Sequence, residues 1–322
     1  MKKTDNAVNI LTAMTYNKVG KAWIVKNLSK PIPLERIIEL IKLADKENEN
    51  CSIDDFLYRK EWIRHDLNAL YKEIGGFEVT AIGDDDFPQY RGNVKNSEKP
   101  VVLFYKGDLS LLDKGNSNVA VIGLLNPNGK IEENERKVVA ELVNRNITIV
   151  SGLANGCDYI AHHETLMNGG KTVAILPSPL NNILPTSNSP LARDIWENGG
   201  LVITEYYKGI NSPKMLSGRY IERDRLQALF SDCVVLSASY DENKLGNDSG
   251  SRHAMGKAKE YGLARAVIYS ELMDIDNPMF DLTRRVISED KSVIIVNDEN
   301  ISDAVDRIVK RTNKASEQIL FS

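Results

Sequence analysis

Short apolar runs alternate with amphipathic stretches through the second part of the chain, and this alternation constrains the fold more than any other feature. The runs NVAVIG, ITIVSG, KTVAILP, LVITEY, CVVLSAS, ARAVIYS and SVIIVN are typical of buried strands. Most of the stretches between them carry apolar residues at helical spacing. Because each helix must cross the sheet to reach the next strand, the pattern predicts an α/β fold with a doubly wound, Rossmann-like parallel sheet.

The remaining segments predict a chain of four parts. Residues 1–75 show helical spacing throughout, with Ser52 at an N-cap position, and predict a small N-terminal helical domain. Residues 76–116 hold short β-prone runs between Gly and Pro, which predict a connecting β extension. We expect the Rossmann-like domain over residues 117–310 and a C-terminal tail over residues 311–322.

Composition is that of an ordinary globular protein, with 42% hydrophobic and 27% charged residues. The three cysteines form no C-x-x-C pair, so neither a disulfide framework nor a structural zinc site is predicted. No apolar run approaches the roughly 20 residues that span a bilayer, and no targeting segment is recognised, so we expect a cytoplasmic protein without a membrane partner. With a net charge of −4, nucleic-acid binding would need a local basic patch.

Ligands of a doubly wound sheet bind at the carboxyl ends of its strands, so the loops there are the candidate sites. The stretch SGLANGCDYIAHH follows the second strand of the domain, and its glycines Gly152 and Gly156 would let the backbone approach a phosphate at a helix start. Asp158 has two interpretations, a helix N-cap or a ligand contact. The adjacent His162 and His163 match no metal-ligand spacing, so no metal site is predicted.

Two further loops each allow two interpretations. The loop that begins at Gly123 lacks the spacing of a Walker phosphate loop, which leaves a simple strand-to-helix turn or phosphate contact through backbone amides. Ser249, Gly250 and Ser251 precede a later helix, where small residues either cap the helix or hold an anion.

The loop expected over residues 204–225 contains the most convincing basic patch. Cations and tyrosines are interleaved there, as in surfaces that bind single-stranded nucleic acid through phosphates and stacked bases. They are Lys208, Lys214, Arg219, Arg223 and Arg225, with Tyr206, Tyr207 and Tyr220. No nucleophile with an adjacent base stands out in the chain, so the sequence predicts neither catalysis nor a cofactor.

The order of these motifs resembles the DprA/Smf DNA-processing family. The resemblance rests on SGLANGCDYIAHH, GGKTVAILPSPLNNILPTSN, NGGLVITEY, ERDRLQALFSD and SGSRHAMGKAKEYG, and it covers residues from about 80 to 270 well. The first 75 residues are loosely similar to the family's helix-hairpin-helix or SAM-like domain. The resemblance implies a non-catalytic, homodimeric protein that binds single-stranded DNA and hands it to a RecA-type recombinase during DNA uptake.

Family positions carry over to particular residues of this chain. The glycine motif falls on Ser151, Gly152, Gly156 and Asp158, and a Gly-Gly-Lys segment ends at Lys171. The family's Arg-Asn-Arg motif falls on Arg223, Asp224 and Arg225. The predicted phosphate-binding set is Gly123, Ser151, Gly152, Gly156, Asp158, Lys171, Lys214, Arg223, Arg225, Ser249, Gly250 and Ser251, with Tyr206 or Tyr220 stacking a base.

Four positions depart from the family pattern. Leu124 and Leu125 replace Ser and Arg, Asn155 replaces an arginine, and Asp224 replaces a neutral asparagine. Two cations are lost and one anion is gained, so the hypothesis is weaker and less salt-sensitive DNA binding. On the assumption that Arg223 and Arg225 contact phosphate, changing both to alanine is expected to reduce DNA affinity with little change in melting temperature.

Two other functions remain open at this point. Similar Rossmann domains bind nucleotides, as ligand sensors or as nucleotide-processing, phosphoribohydrolase-like proteins. A small ligand suits the acidic isoelectric point, although the P-G-G-x-G-T loop of such hydrolases is absent. The third function is a scaffold whose N-terminal helical domain binds a protein partner.

Overall fold

A computed structural model describes residues 4–243 and 250–320. The first part of the chain forms helices α1 Asp5–Ala13, α2 Lys21–Asn27, α3 Leu34–Ala44 and α4 Ile53–Glu73. Thr4 starts α1 by accepting the Ala7 N–H, and Ser52 starts α4 by accepting the Asp55 N–H. The predicted N-cap at Ser52 is confirmed.

The described residues form one sheet of nine strands. The strands are β1 Glu78–Ala81, β2 Val102–Gly107, β3 Asn118–Ile122, β4 Thr148–Ser151, β5 Thr172–Ile175, β6 Leu201–Thr204, β7 Cys233–Leu236, β8 Ala264–Ile268 and β9 Ile294–Val296. Their order is β1-β2-β6-β5-β4-β3-β7-β8-β9, with β3 to β9 parallel. The predicted α/β fold with a doubly wound, Rossmann-like parallel sheet is confirmed.

The connecting segment extends the sheet. β1 pairs antiparallel with β2, and β2 pairs antiparallel with β6. Buried Arg91 fixes this segment by donating to Asp232 Oδ1 at 3.2 Å and to the carbonyls of Leu112, Asp113 and Asn116 at 2.9 to 3.1 Å. These bonds satisfy most of the donors of one guanidinium, so Arg91 ties the segment to the start of β7.

Helices cover both faces of the sheet. The helices after β2 are α5 Gly129–Val143, α6 Cys157–Met167, α7 Ser189–Glu197, α8 Pro213–Leu229, α9 Ser251–Tyr261, α10 Glu271–Asp274, α11 Asp281–Glu289 and α12 Ile301–Leu320. Side chains alternate along β3, so that Val119 and Val121 pack with α5 and α12 while Ala120 and Ile122 pack with α8, α9 and α11. Helix α12 continues through most of residues 311–322, which the sequence suggested as a tail.

The N-terminal helices share a core with the sheet. Ile24 and Leu67 belong to the same buried cluster as Phe104 of β2 and Ala174 of β5. Helix α1 also anchors to the loop after β1, where Asp84 accepts the Thr4 hydroxyl at 2.6 Å and the Asn6 amide at 2.9 Å. Separating the two parts would therefore expose buried apolar surface on both.

The strand order reverses between β3 and β7. Helix α5 connects β3 to β4 and covers one face of the sheet. Helix α9 connects β7 to β8 and covers the other face. The loops after β3 and β4 and the start of α9 therefore meet above one crevice, the position at which open α/β sheets bind ligands.

Candidate functional site

A cleft of about 520 Å³ opens at this crevice. Its walls are the loops after β3 and β4, one face of helix α8 and the first turn of α9. The lining residues that matter below are Gly123, Leu125, Asn155, Asp158, Ser217, Tyr220, Arg223, Asp224, Gln227, Gly250 and Ser251. A volume of this size is within the usual range for a small-molecule site.

Arg223 connects two walls of the cleft. Its Nη1 atom lies 3.4 Å from Asp158 Oδ2, and its Nε atom lies 3.5 Å from Asp224 Oδ1. With its carbonyl turned toward Arg223, the Gln227 side chain accepts Nη1–H at 2.7 Å and the Gly152 N–H at 3.0 Å. Arg223 is therefore buried and neutralised by two carboxylates, whereas the sequence predicted a cation free to bind phosphate.

The glycines of the cleft make room for protein atoms. A Cβ on Gly152 would lie 1.3 Å from Arg223 Nη1, and a Cβ on Gly123 would lie 2.5 Å from Cys157 Sγ. Gly156 has a φ of +73°, and its Cβ would lie 2.3 Å from the Leu124 carbonyl oxygen. The sequence predicted that Gly152 and Gly156 let a ligand approach the backbone, but these spaces are already filled by Arg223 and by the loop after β3.

Asp158 is not the N-cap of its helix. Helix α6 begins at Cys157 with Gly156 at the cap position, and Asp158 Oδ2 accepts the Ala154 N–H at 3.2 Å in addition to contacting Arg223. Ser151 is also engaged within the protein, because its buried hydroxyl donates to the Val121 carbonyl at 2.7 Å. Both residues order the loop after β4.

Asp224 gives the cleft its unusual electrostatics. Burial raises the pKa of its carboxyl to about 7, the Arg223 cation opposes that rise, and the Asp158 carboxylate adds to it. The cleft therefore has two carboxyl groups, those of Asp158 and Asp224, beside the single guanidinium of Arg223.

The first turn of α9 closes the cleft. Gly250 has the left-handed φ of 74°, and the Ser251 hydroxyl donates to the Gly123 carbonyl at 3.1 Å. Arg252 pairs with Glu242 at 2.7 Å. Ser249, the third small residue of the predicted anion-binding site, lies outside the described residues.

The segment predicted as a loop over residues 204–225 is largely helical. Helix α8 starts at Pro213 with Ser212 as its N-cap, whose hydroxyl accepts the Met215 N–H at 3.2 Å. Lys214 is exposed in the first turn, and Ser217, Ile221 and Asp224 follow it on the same helix face. Lys214 therefore lies beyond the rim of the cleft.

Arg225 and Tyr206 lie outside the cleft. Arg225 Nη2 donates to both carboxylate oxygens of Glu205 at 2.7 and 2.8 Å, and its Nε donates to the Glu98 carbonyl at 2.7 Å. Tyr206 donates its hydroxyl to Glu222 at 2.5 Å and packs under Arg219 at 4.1 Å. Of the two tyrosines predicted to stack a base, only Tyr220 lines the cleft, 5.6 Å from the Arg223 guanidinium.

Lys171 lies at the opposite edge of the sheet. It precedes the first residue of β5, and the cleft is at the carboxyl ends of the parallel strands. Its ammonium donates to the Asn198 carbonyl at 2.7 Å. The structure therefore separates Lys171 from the other predicted phosphate contacts.

Two residues that order the site were missed by sequence reasoning. Gln227 follows Arg223 by one helical turn, a spacing that would have suggested contact once the helix was recognised. Asn188 donates to the carbonyls of Leu153 and Ala154 at 2.9 and 3.2 Å and so supports the loop after β4. From the sequence alone, Asn188 has two interpretations, a capping residue at a helix start or part of a long functional loop.

Comparison with known families decides the class of protein. The family of DNA recombination-mediator protein A matches residues 78–306, which include the whole sheet and every described element of the cleft. This chain belongs to that family. Its members act in DNA processing and recombination.

Relatives of the DNA recombination-mediator protein A family agree with this assignment. DNA processing protein DprA of Streptococcus pneumoniae is 36% identical over 80% of this chain and 89% of its own length. The Bacillus subtilis protein of the same name is 30% identical over 57% of this chain and 58% of its own.

Two solved structures of the family share the fold. The crystal structure of Streptococcus pneumoniae DprA superposes with a TM-score of 0.65 at 27% identity, over 91% of this chain and 95% of that one. DNA processing protein A of Helicobacter pylori, whose structure is described for its single-stranded DNA binding mode, superposes with a TM-score of 0.53 at 26% identity. It covers 70% of this chain and 98% of that protein.

Proposed function

We propose that this chain binds single-stranded DNA in DNA processing and recombination, and that the cleft beside α8 takes one unpaired base of the strand. The size of the cleft carries the proposal. About 520 Å³ is room for a single nucleotide, and a base can enter such a site only when it is unpaired. The single-strand binding described for the Helicobacter pylori relative supports the same choice of ligand.

The distribution of charge supports a model in which the cleft binds the base and the residues around it bind the phosphates. Inside the cleft, the charge of Arg223 is balanced by Asp158 and Asp224. Phosphates are therefore expected at exposed cations beyond the rim, of which Lys214 lies on the cleft face of α8. Tyr220 supplies an aromatic ring on the wall of the cleft for stacking.

Binding of labelled oligonucleotides, followed by fluorescence anisotropy, tests the proposal. We expect oligo-dC and oligo-dT to bind, and an unlabelled duplex of the same length to compete much less strongly than an unlabelled single strand. Equal competition by the duplex would contradict the assignment to single strands. Failure of every oligonucleotide to bind would contradict the proposed function as a whole.

A nucleotide-ligand sensor, or a phosphoribohydrolase-like protein, is the second candidate. The paired state of Arg223 favours it, because a cation shared by two carboxylates suits a ligand with few charges better than a polyanion. A thermal-shift comparison of nucleoside monophosphates with oligonucleotides separates the two. Stabilisation by a monophosphate alone would support the second candidate.

The finer properties that the family resemblance implies are part of the proposal. We propose that the chain acts without catalysis in the cytoplasm, as a homodimer that delivers single-stranded DNA to a RecA-type recombinase. No described helix is long and apolar enough to cross a membrane. We also propose the division into residues 1–75, 76–116, 117–310 and 311–322, with the first segment the candidate surface for a protein partner.

A further inference from the structure

Asp224 has no hydrogen-bond partner within the described residues, although only 8% of its surface is exposed. Its Oδ1 atom lies 3.5 Å from Arg223 Nε, which is an ion pair but exceeds ordinary hydrogen-bond length. Its Oδ2 atom lies on the side of Gly250, 3.4 Å from the position that a Cβ there would occupy. Because Asp224 and Gly250 both line the cleft, this oxygen is available to a ligand.

The surroundings of Asp224 specify what kind of group it can accept. Arg223 on the same helix is shared with Asp158 at the start of α6, while Arg252 and His253 line the cleft from α9. The Asp224 carboxylate has no donor within the described residues, and a ligand N–H that reaches it in the cleft would form a charge-assisted hydrogen bond. An anionic group would instead add a third negative charge beside Arg223, which Asp158 and Asp224 already share.

Among the parts of a DNA strand, the exocyclic amino groups of the bases meet this requirement best. Cytosine, adenine and guanine each carry an amino group with two N–H donors, and aspartate is a known acceptor for the amino group of cytosine. Thymine has a single ring N–H between two carbonyl oxygens, and a carboxylate repels both oxygens. An unpaired base presents this edge freely.

We propose that Asp224 selects, from a bound single strand, a base that carries an exocyclic amino group and disfavours thymine. This inference rests on the proposed function, because it assigns base selection to the cleft in which an unpaired base is placed. Asp224 is then the specificity-determining residue, and Tyr220 contributes stacking that does not depend on the base.

The experiment compares oligo-dC with oligo-dT of equal length by fluorescence anisotropy, at a pH of about 8 so that the carboxylate form of Asp224 predominates. The wild-type chain is expected to bind oligo-dC about tenfold more tightly, which is within the discrimination that one base contact provides. In Asp224→Asn the difference should disappear, mainly through tighter binding of oligo-dT. Asp224→Ser should equalise the two affinities as well.

Glu222→Gln is the matched control. It removes one negative charge from the same helix, two residues away, where Glu222 accepts the Tyr206 hydroxyl outside the cleft. The preference for oligo-dC should survive in this variant. Equal wild-type affinities for the two oligonucleotides, or an unchanged ratio in both Asp224 variants, would overturn the inference while leaving single-strand binding intact. Absence of binding to both would overturn the proposed function itself.

Discussion

The guanidinium of Arg223 lies against the α-carbon of Gly152, in the space that any other amino acid would fill with its side chain. Through this contact the loop after β4 and helix α8 hold each other in place, with Asp158 and Gln227 fixing the guanidinium from either side. The geometry of the cleft therefore depends on a glycine and an arginine that are far apart in the sequence.

Gly152→Ala should destabilise the protein. The new Cβ would displace Arg223 from Asp158 and Gln227, and overpacking of a buried site lowers the free energy of unfolding by about 1–3 kcal/mol. Urea denaturation measures the effect. Gly218→Ala on α8 is the control, because its Cβ meets nothing within 4 Å and alanine favours the helix by up to about 1 kcal/mol. Equal stability of the two variants would contradict the structural role of the contact between Gly152 and Arg223.

Arg225→Ala should also destabilise the protein. The side chains of Arg225 and Glu205 are both about 95% buried. Lys21 also contacts the Glu205 carboxylate, at 3.1 Å, so removing Arg225 takes away one of its two cationic partners, at a cost of about 1–3 kcal/mol. This differs from the sequence-based expectation that loss of both Arg223 and Arg225 would leave the melting temperature nearly unchanged. Differential scanning calorimetry makes the measurement.

Arg36→Ala controls for loss of an arginine as such. Arg36 pairs with Glu39 on the surface of α3, where the two side chains are 57% and 62% exposed. Exposed pairs of this kind contribute between zero and about 1 kcal/mol. A melting temperature for Arg225→Ala as high as that of Arg36→Ala would show that the Arg225 pair is not structural.

Glu135→Gln should make stability less dependent on pH. Burial raises the pKa of the Glu135 carboxyl to about 8, and the neighbouring Cys157 thiol and Ser237 hydroxyl only partly oppose this rise. In the unfolded chain this carboxyl ionises at its ordinary, lower pKa, so its contribution to stability falls as pH rises toward about 8. Relative to wild type, the free energy of unfolding of the variant should rise by about 1.4 kcal/mol per pH unit between the ordinary pKa of the carboxyl and about 8.

Denaturation midpoints between about pH 5 and about pH 8 check this prediction. Glu133→Gln on the same helix is the control, since Lys137 lowers the pKa of that exposed carboxyl and both folded and unfolded chains are ionised there. The difference in denaturation midpoint between Glu133→Gln and wild type should stay constant from about pH 5 to about pH 8. A constant difference for Glu135→Gln too would mean that Glu135 is ionised in the folded protein.

Lys214→Glu should weaken single-strand binding several-fold and reduce the dependence of affinity on salt by about one phosphate contact. Lys214 is exposed on the cleft face of α8, so its substitution should leave the melting temperature unchanged. Anisotropy titrations at several salt concentrations provide the measurement. Lys171→Glu makes the same charge change at the opposite edge of the sheet and should keep wild-type affinity. If Lys171→Glu weakened binding and Lys214→Glu did not, the DNA would bind at the opposite edge of the sheet.

The sheet and its helices were predictable because their signals are local. Each apolar run from β3 to β9 became a strand, and the alternation alone required a doubly wound arrangement. The start of α8 was also present in the sequence, as Ser212 in the N-cap position followed by Pro213, but the interleaved cations and tyrosines favoured a loop. The helical assignment was therefore available from the same residues.

The individual roles within the site were harder to predict because they depend on packing between distant segments. That Gly152 accommodates Arg223 and that Arg225 pairs with Glu205 follow from how α8 rests on the sheet, which no local pattern specifies. Lys171 is a different case. It precedes its strand, so the rule that ligands bind at carboxyl ends already separated it from the other residues, and only the family motif grouped them.

Asp224 can be substituted more freely during evolution than the residues that pack together beside it. Gly152, Asp158, Arg223 and Gln227 constrain one another, so a substitution at one of them requires compensation at another. Asp224 contacts this group through a single ion pair and keeps one oxygen uncommitted. Recognition in this cleft can therefore diverge between lineages at one codon, while the architecture that supports it is inherited intact.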